Sequence, residues 1–170
     1  MSAFKISRRQ ALTSIGACAI ASAAARSALA QPIRFRDVRV DVSALRANVG
    51  DPTAKWVQEV LPQELARVLA PYMSPGDRGG ATLIARIDNV YLGPSAGGGA
   101  EPGGAWPDTM KGVLIVTGPR GGIAAETPLR ATAFYYASPV DQALIEQAYY
   151  YRVVALAQAF AGWVPKQLGL

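Results

Sequence analysis

The chain has 170 residues, with 17 basic side chains against 12 acidic ones, no histidine and a single cysteine. Without histidine there is no Ser-His-Asp triad, and one cysteine excludes a disulfide framework and a thiolate-rich metal or haem site. Lys5, Arg8, Arg9 and Arg26 all precede residue 31, so seventeen less four leaves thirteen basic residues against twelve acidic ones beyond it. That near-neutral balance disfavours a nucleic-acid partner, which needs a basic stripe.

The first thirty residues read as three zones. Lys5, Arg8 and Arg9 make a basic start, and an apolar zone of 15 residues runs over 11–25. Ala28-Leu29-Ala30 then gives the small-residue exit that a signal peptidase reads, placing the mature start at Gln31. The zone is shorter than the ~20 residues of a spanning helix. Ser7-Arg8-Arg9-Gln10-Ala11-Leu12 resembles the twin-arginine export signal through Ser7, Arg8, Arg9 and Leu12. It departs from the usual pattern at Ala11, where Phe is common, and at Thr13, where Lys is frequent. The resemblance implies export by the twin-arginine machinery, with membrane contact only through the signal. Ile15-Gly16-Ala17-Cys18 offers the minority alternative of a lipid anchor at Cys18 in a periplasmic protein.

Residues 31–170 amount to one domain. Val38, Val40 and Val42 alternate with Arg39 and Asp41 as in a half-buried strand, while Ile33 and Phe35 take the opposite parity. A bulge near Asp37 reconciles the two. Asp51 as cap and Pro52 at the first position open a helix whose apolar stripe is Ala54, Val57, Leu61, Leu65, Val68 and Tyr72. Pro62 interrupts it, with a kink expected there.

A second strand is expected over 81–92, with Leu83, Ala85, Ile87 and Tyr91 on one face and Arg86 and Asp88 on the other. Residues 93–107 are too rich in glycine and proline for regular structure and predict a loop. Val113 to Val116 are apolar on both parities, as in a central strand. A glycine-rich turn over 118–122 returns the chain through Leu129, Ala131, Ala133 and Tyr135. Ser138-Pro139-Val140-Asp141 reads as a capping box opening a helix to Val164. Its apolar arc gathers Ile145, Ala148, Tyr149, Leu156, Ala159, Phe160 and Trp163.

The expected fold is therefore α+β, in the order β-α-β-β-β-α. Its simplest form is an antiparallel sheet of about four strands with two helices packed on one face. This order resembles small periplasmic α+β domains of envelope assembly lipoproteins and transport auxiliaries. The resemblance implies a binding or assembly role without an active site.

No motif in the chain carries catalysis, and no cofactor is expected. The glycines at 97–99 and 103–104 lack the Gly-Lys-Ser/Thr ending of a phosphate loop. A cofactor-free hydrolase using paired carboxylates is the alternative, with Asp88, Glu101, Asp108, Glu126 and Asp141 to recruit from. Binding has better candidates. Trp56, Tyr150 and Val154 fall off the expected apolar faces of their helices, and exposed aromatics mark partner surfaces. Arg152 falls inside an apolar arc. Either it pairs with a carboxylate such as Asp88 or Glu126, or with an anionic ligand, or its stem lies along the core and its head reaches water. An envelope protein or a small apolar ligand is the expected partner.

Overall fold

The computed structural model describes residues 33–93, 107–134 and 145–170. The export signal, most of the expected loop and the capping box lie outside the described residues. Among the described residues the main elements are, in order, β1 (Phe35–Asp41), α1 (Ser43–Val49), α2 (Asp51–Leu69), β2 (Ala81–Tyr91), β3 (Asp108–Thr117), β4 (Ile123–Ala133) and α3 (Ile145–Gln167). A short 3-10 turn, Ala70–Tyr72, closes α2.

The strands form one four-stranded sheet in the order β1-β2-β3-β4, and the class is α+β. β2, β3 and β4 are antiparallel, but β1 runs parallel to β2. The sheet is thus mixed, which corrects the all-antiparallel expectation. Parallel neighbours need a crossover of a dozen or more residues. The helical connection between β1 and β2 supplies one, because α2 carries the chain back to the end of the sheet where β1 began. Alternation along β1 identifies its buried face and says nothing of its direction.

α1 was not expected from the sequence. It is seven residues long and buries only Leu45, too little to establish a helical period. Asp41 starts it by accepting a hydrogen bond from the Ser43 backbone N–H at 2.9 Å. Hydrogen bonds from Ser43, side chain and then backbone, hold the Asp41 carboxyl below the usual carboxylate range, and the Arg86 charge adds to this.

α2 begins one residue earlier than expected. Gly50 occupies the N-cap at φ 87°, and Asp51 instead pairs with Arg46 at 2.8 Å. The helix continues through Pro62 to Leu69 with Ala54, Val57, Leu61, Leu65 and Leu69 buried along it.

The sheet has two unlike faces. Leu83, Ala85, Ile87 and Val90 of β2 share one with Met110, Leu114 and Val116 of β3 and with Leu129 and Ala131 of β4. All three helices pack there, bringing Leu45, Leu61, Leu65, Leu156 and Phe160 into one core with Phe35. A register shift between Phe35 and Asp37 carries Phe35 inward, as the parity change in the sequence required. A second shift, between Ile87 and Asn89, was not foreseen. It turns Val90 into the core and leaves Tyr91 52% exposed, which corrects the expected inward position of Tyr91.

Gly112 lies opposite Ile87, beside this second bulge. A Cβ there would meet the Arg86 carbonyl oxygen well inside contact distance. Backbone cannot move aside as a side chain can, so Gly112→Ala is expected to cost about 1–3 kcal/mol. Urea denaturation of the variant measures this directly.

Pro128 sits within β4, where an edge strand tolerates a missing donor. α3 also includes a proline, since it runs past the expected stop at Val164 and through Pro165 to Gln167. Its end is closed by Gly169 at φ 71°, with Leu170 N donating to Pro165 O (2.9 Å) and Gly169 N to Lys166 O (3.2 Å). This paired closure satisfies terminal carbonyls and favours glycine at the left-handed position.

The buried arc of α3 is Arg152, Val153, Leu156, Ala157, Phe160, Ala161 and Val164. Its centre lies near Val153 and Phe160, rotated from the arc read in the sequence. Trp163 therefore falls towards the margin and is 48% exposed, with the Lys166 ammonium 4.9 Å from its ring centre. This corrects its expected place in the core.

Candidate functional site

Three features of the fold could serve function: a buried ion pair, an aromatic seam between helices, and the uncovered face of the sheet. The ion pair joins α3 to the ends of β2 and β3. Asp108, the first residue of β3, is 2% exposed, and Arg152 of α3 is 7% exposed. Arg152 Nε donates to Asp108 Oδ2 at 2.9 Å, and Nη2 donates to both Asp108 Oδ1 and the Gly93 carbonyl. Gly93 N–H donates to Asp108 Oδ1 at 2.8 Å. The Tyr149 ring centre lies 5.5 Å from the guanidinium carbon, a cation–π distance. The Asp108 hydrogen bond raises the Arg152 pKa above its ordinary value, against the opposing effect of burial.

Arg152 is thus buried and paired, which corrects the alternative of a head in water. Its partner is Asp108 and neither Asp88 nor Glu126. Asp88 bonds to Arg86 at 3.1 Å, and Glu126 is exposed on β4. A signal for Asp108 existed in the sequence. It shares strand parity with Met110, Leu114 and Val116, so an acid was aimed into the core where only a cation could accompany it.

Both carboxylate oxygens of Asp108 are occupied by donors, and the guanidinium is bidentate on it. The arrangement is suited to bracing the fold. Of the other carboxylates considered for hydrolysis, Asp88 has its own arginine, while Glu101 and Asp141 lie outside the described residues. Among the described residues no group of three acids, cysteines or histidines could hold a metal ion.

The aromatic seam lies between α2 and α3. Trp56 and Tyr150 meet edge to face with ring centres 6.2 Å apart, and Tyr151 lies 6.1 Å from Tyr150. Trp56, Tyr150 and Val154 are all half-buried against the core. This corrects the reading that set Tyr150 and Val154 opposite the buried arc and Trp56 off its helix's apolar face. The structure brings Trp56 and Tyr150 together, but as part of the helix packing. Tyr150→Ala is accordingly expected to cost about 1–2 kcal/mol, from lost burial and the lost ring pair. Thermal denaturation checks it, and Tyr151, 40% exposed, serves as the comparison site.

The third feature is the face turned away from the helices. Its cross-strand rows are Arg39-Ile84-Ile115-Glu126, then Asp41-Arg86-Val113-Pro128, then Asn89-Lys111-Arg130. Ile84, Val113 and Ile115 at its centre are half-buried, and the charged residues of β4 around them are exposed. Among the described residues no element covers this face. No helix among them is long and apolar enough to cross a membrane.

No protein-family model and no curated protein matches the sequence. Solved structures similar to it include a minor lipoprotein from Acinetobacter baumannii. That likeness has 14% identity and a TM-score of 0.41, covering 81% of this chain and 92% of that one. A Xanthomonas campestris protein of the DUF330 family is similar at 10% identity with a TM-score of 0.44, over 78% and 85% of the two chains. Uncharacterised lipoprotein B from Nitrosomonas europaea is similar at 13% identity with a TM-score of 0.34, over 78% and 83%. Scores below 0.5 lend none of these proteins' properties to this chain.

Proposed function

We propose that residues 31–170 form a non-catalytic domain of the cell envelope that binds another protein through the uncovered face of its sheet. The observation that carries this reading is the contrast between the two faces. One is filled by three helices, and the other keeps Ile84, Val113 and Ile115 together with nothing described above them. An apolar centre ringed by charge is the composition of a specific protein interface, with its dry core and polar rim. The signal-like start supplies the compartment, with delivery by the twin-arginine machinery and cleavage after Ala30.

The ion pair and the aromatic seam both serve the fold in this reading. Asp108 and Arg152 satisfy each other and the Gly93 backbone, and Trp56 and Tyr150 lock the two long helices together. The face is then left as the working surface.

Ile115→Arg tests the proposal. Its side chain points away from the core, so stability is expected to fall by about 1 kcal/mol or less. In periplasmic extract the unaltered protein should elute larger than a monomer, and the variant should elute as a monomer with a near-normal melting curve. Identical elution of both forms would contradict the proposal.

A further inference from the structure

Lys111 on β3 and Arg130 on β4 stand directly opposite each other on the open face. Like charges in that register destabilise a strand pair. Neither has an ion-pair partner among the described residues. Other arginines of the face are already accommodated. Arg39 bonds to Asp37 at 2.7 Å, Arg86 bonds to Asp88 at 3.1 Å, and Arg36 donates to Thr82. Glu126 lies four residues away along the same strand, exposed and equally without an ion-pair partner among the described residues. Between the cations and this acid runs the row that ends in Val113 and Pro128, uncharged on β3 and β4, with Arg86 and Asp41 continuing it on β2 and β1.

We propose that the occupant of the open face is a second copy of this chain, stacked face to face about a two-fold axis along the Val113–Pro128 row. This rests on the reading of that face as the binding surface. The axis exchanges positions lying equally far on either side of it, so Glu126 of each copy comes over Arg130 of the other. Lys111 comes over Ile115 of the second copy, where its stem can lie on the apolar side chain while its ammonium reaches the same Glu126. Val113 and Pro128 meet their own counterparts on the axis, as an isologous interface requires, and so do Arg86, which keeps its pairing with Asp88, and Asp41. Glu126 and Arg130 each stand two residues from the axis, about 6.6 Å along the strand. Aligned sheets pack about 10 Å apart, a gap that an arginine and a glutamate span together.

The available area agrees with this arrangement. Strands of 7, 11, 10 and 11 residues, about 4.8 Å apart at about 3.3 Å per residue, present a face on the order of 600 Å². Two such faces bury about 1,200 Å², the lower end of specific interfaces. An anionic membrane surface is a poorer occupant. Asp37, Asp41, Asp88 and Glu126 nearly balance the basic side chains of the face, so it has little net charge to draw lipid phosphates.

Sedimentation velocity on purified residues 31–170 tests the inference. The unaltered protein is expected to sediment as a dimer at tens of micromolar, and Arg130→Glu and Glu126→Arg should each sediment as monomers. The double variant Glu126→Arg with Arg130→Glu restores opposite charges across the axis and should recover the dimer. Recovery also shows that the single variants lost association and not folding. A monomeric unaltered protein, single variants that remain dimeric, or a double variant that stays monomeric would each overturn the proposal. If the purified protein is monomeric but Ile115→Arg still shifts elution in extract, the second copy is refuted and the binding face stands.

Discussion

Arg152→Ala is expected to destabilise the domain by about 3–5 kcal/mol, the usual cost of breaking a buried ion pair by removing one partner. The loss has two parts. Asp108, 2% exposed, would keep a charge with no cation beside it. The Gly93 carbonyl would also lose its guanidinium donor. Against a total stability of about 5–15 kcal/mol, such a loss leaves a marginal fold. Urea denaturation measures it. Replacing both partners, Arg152→Met with Asp108→Leu, is expected to recover part of the loss by removing the unpaired charge. Recovery should be incomplete, because the Gly93 N–H and C=O lose their partners in that variant too. An Arg152→Ala variant as stable as the unaltered protein would show that the pair does not brace the fold.

Phe160→Ala is expected to cost about 3–5 kcal/mol, the range for truncating a fully buried aromatic side chain. Phe160 has no exposed surface and lies near the centre of the buried arc of α3. Trp163, one turn further on, is 48% exposed, and Trp163→Ala should change stability by about 1 kcal/mol or less. Equilibrium denaturation of the two variants separates the observed arc from the one read in the sequence. Equal losses would place Trp163 in the core.

Much of the fold was legible because burial imposes a period. The stripe on α2 and the alternation along β1 and β2 are each a face that must be apolar. The change of parity between Phe35 and Val38 announced the first bulge. The reading failed where a face is not the deciding quantity. Direction along the sheet leaves no mark on alternation, so the parallel pairing of β1 stayed hidden. α1 buries one leucine and has no period to detect. Alternation carried on from Ile87 puts Tyr91 inward, and nothing in it marks the shift between Ile87 and Asn89 that turns Val90 in instead. α3 carries Ala, Val and Leu around much of its circumference, so its wheel could be turned without visible penalty. Tyr150, Val154 and Trp163 were misplaced for that reason.

The candidate site was less legible than the fold. Arg152 was recognised as anomalous from its place among apolar neighbours, but its partner lies 44 positions away. An open face was implied by packing the helices on one side only, but which residues meet across it was not legible. Lys111, Arg130 and Glu126 look like ordinary surface charges until the register sets two cations side by side.

The central claim is that one face of the sheet is core and the other is the surface that meets a partner. A photoreactive residue placed in turn at positions 84, 113 and 115 on the open face, and at 55 and 158 on exposed helix surface, tests it in living cells. Covalent adducts are expected from the three sheet positions and not from the two helix positions. Adducts from the helix positions alone, with none from the sheet, would contradict the account.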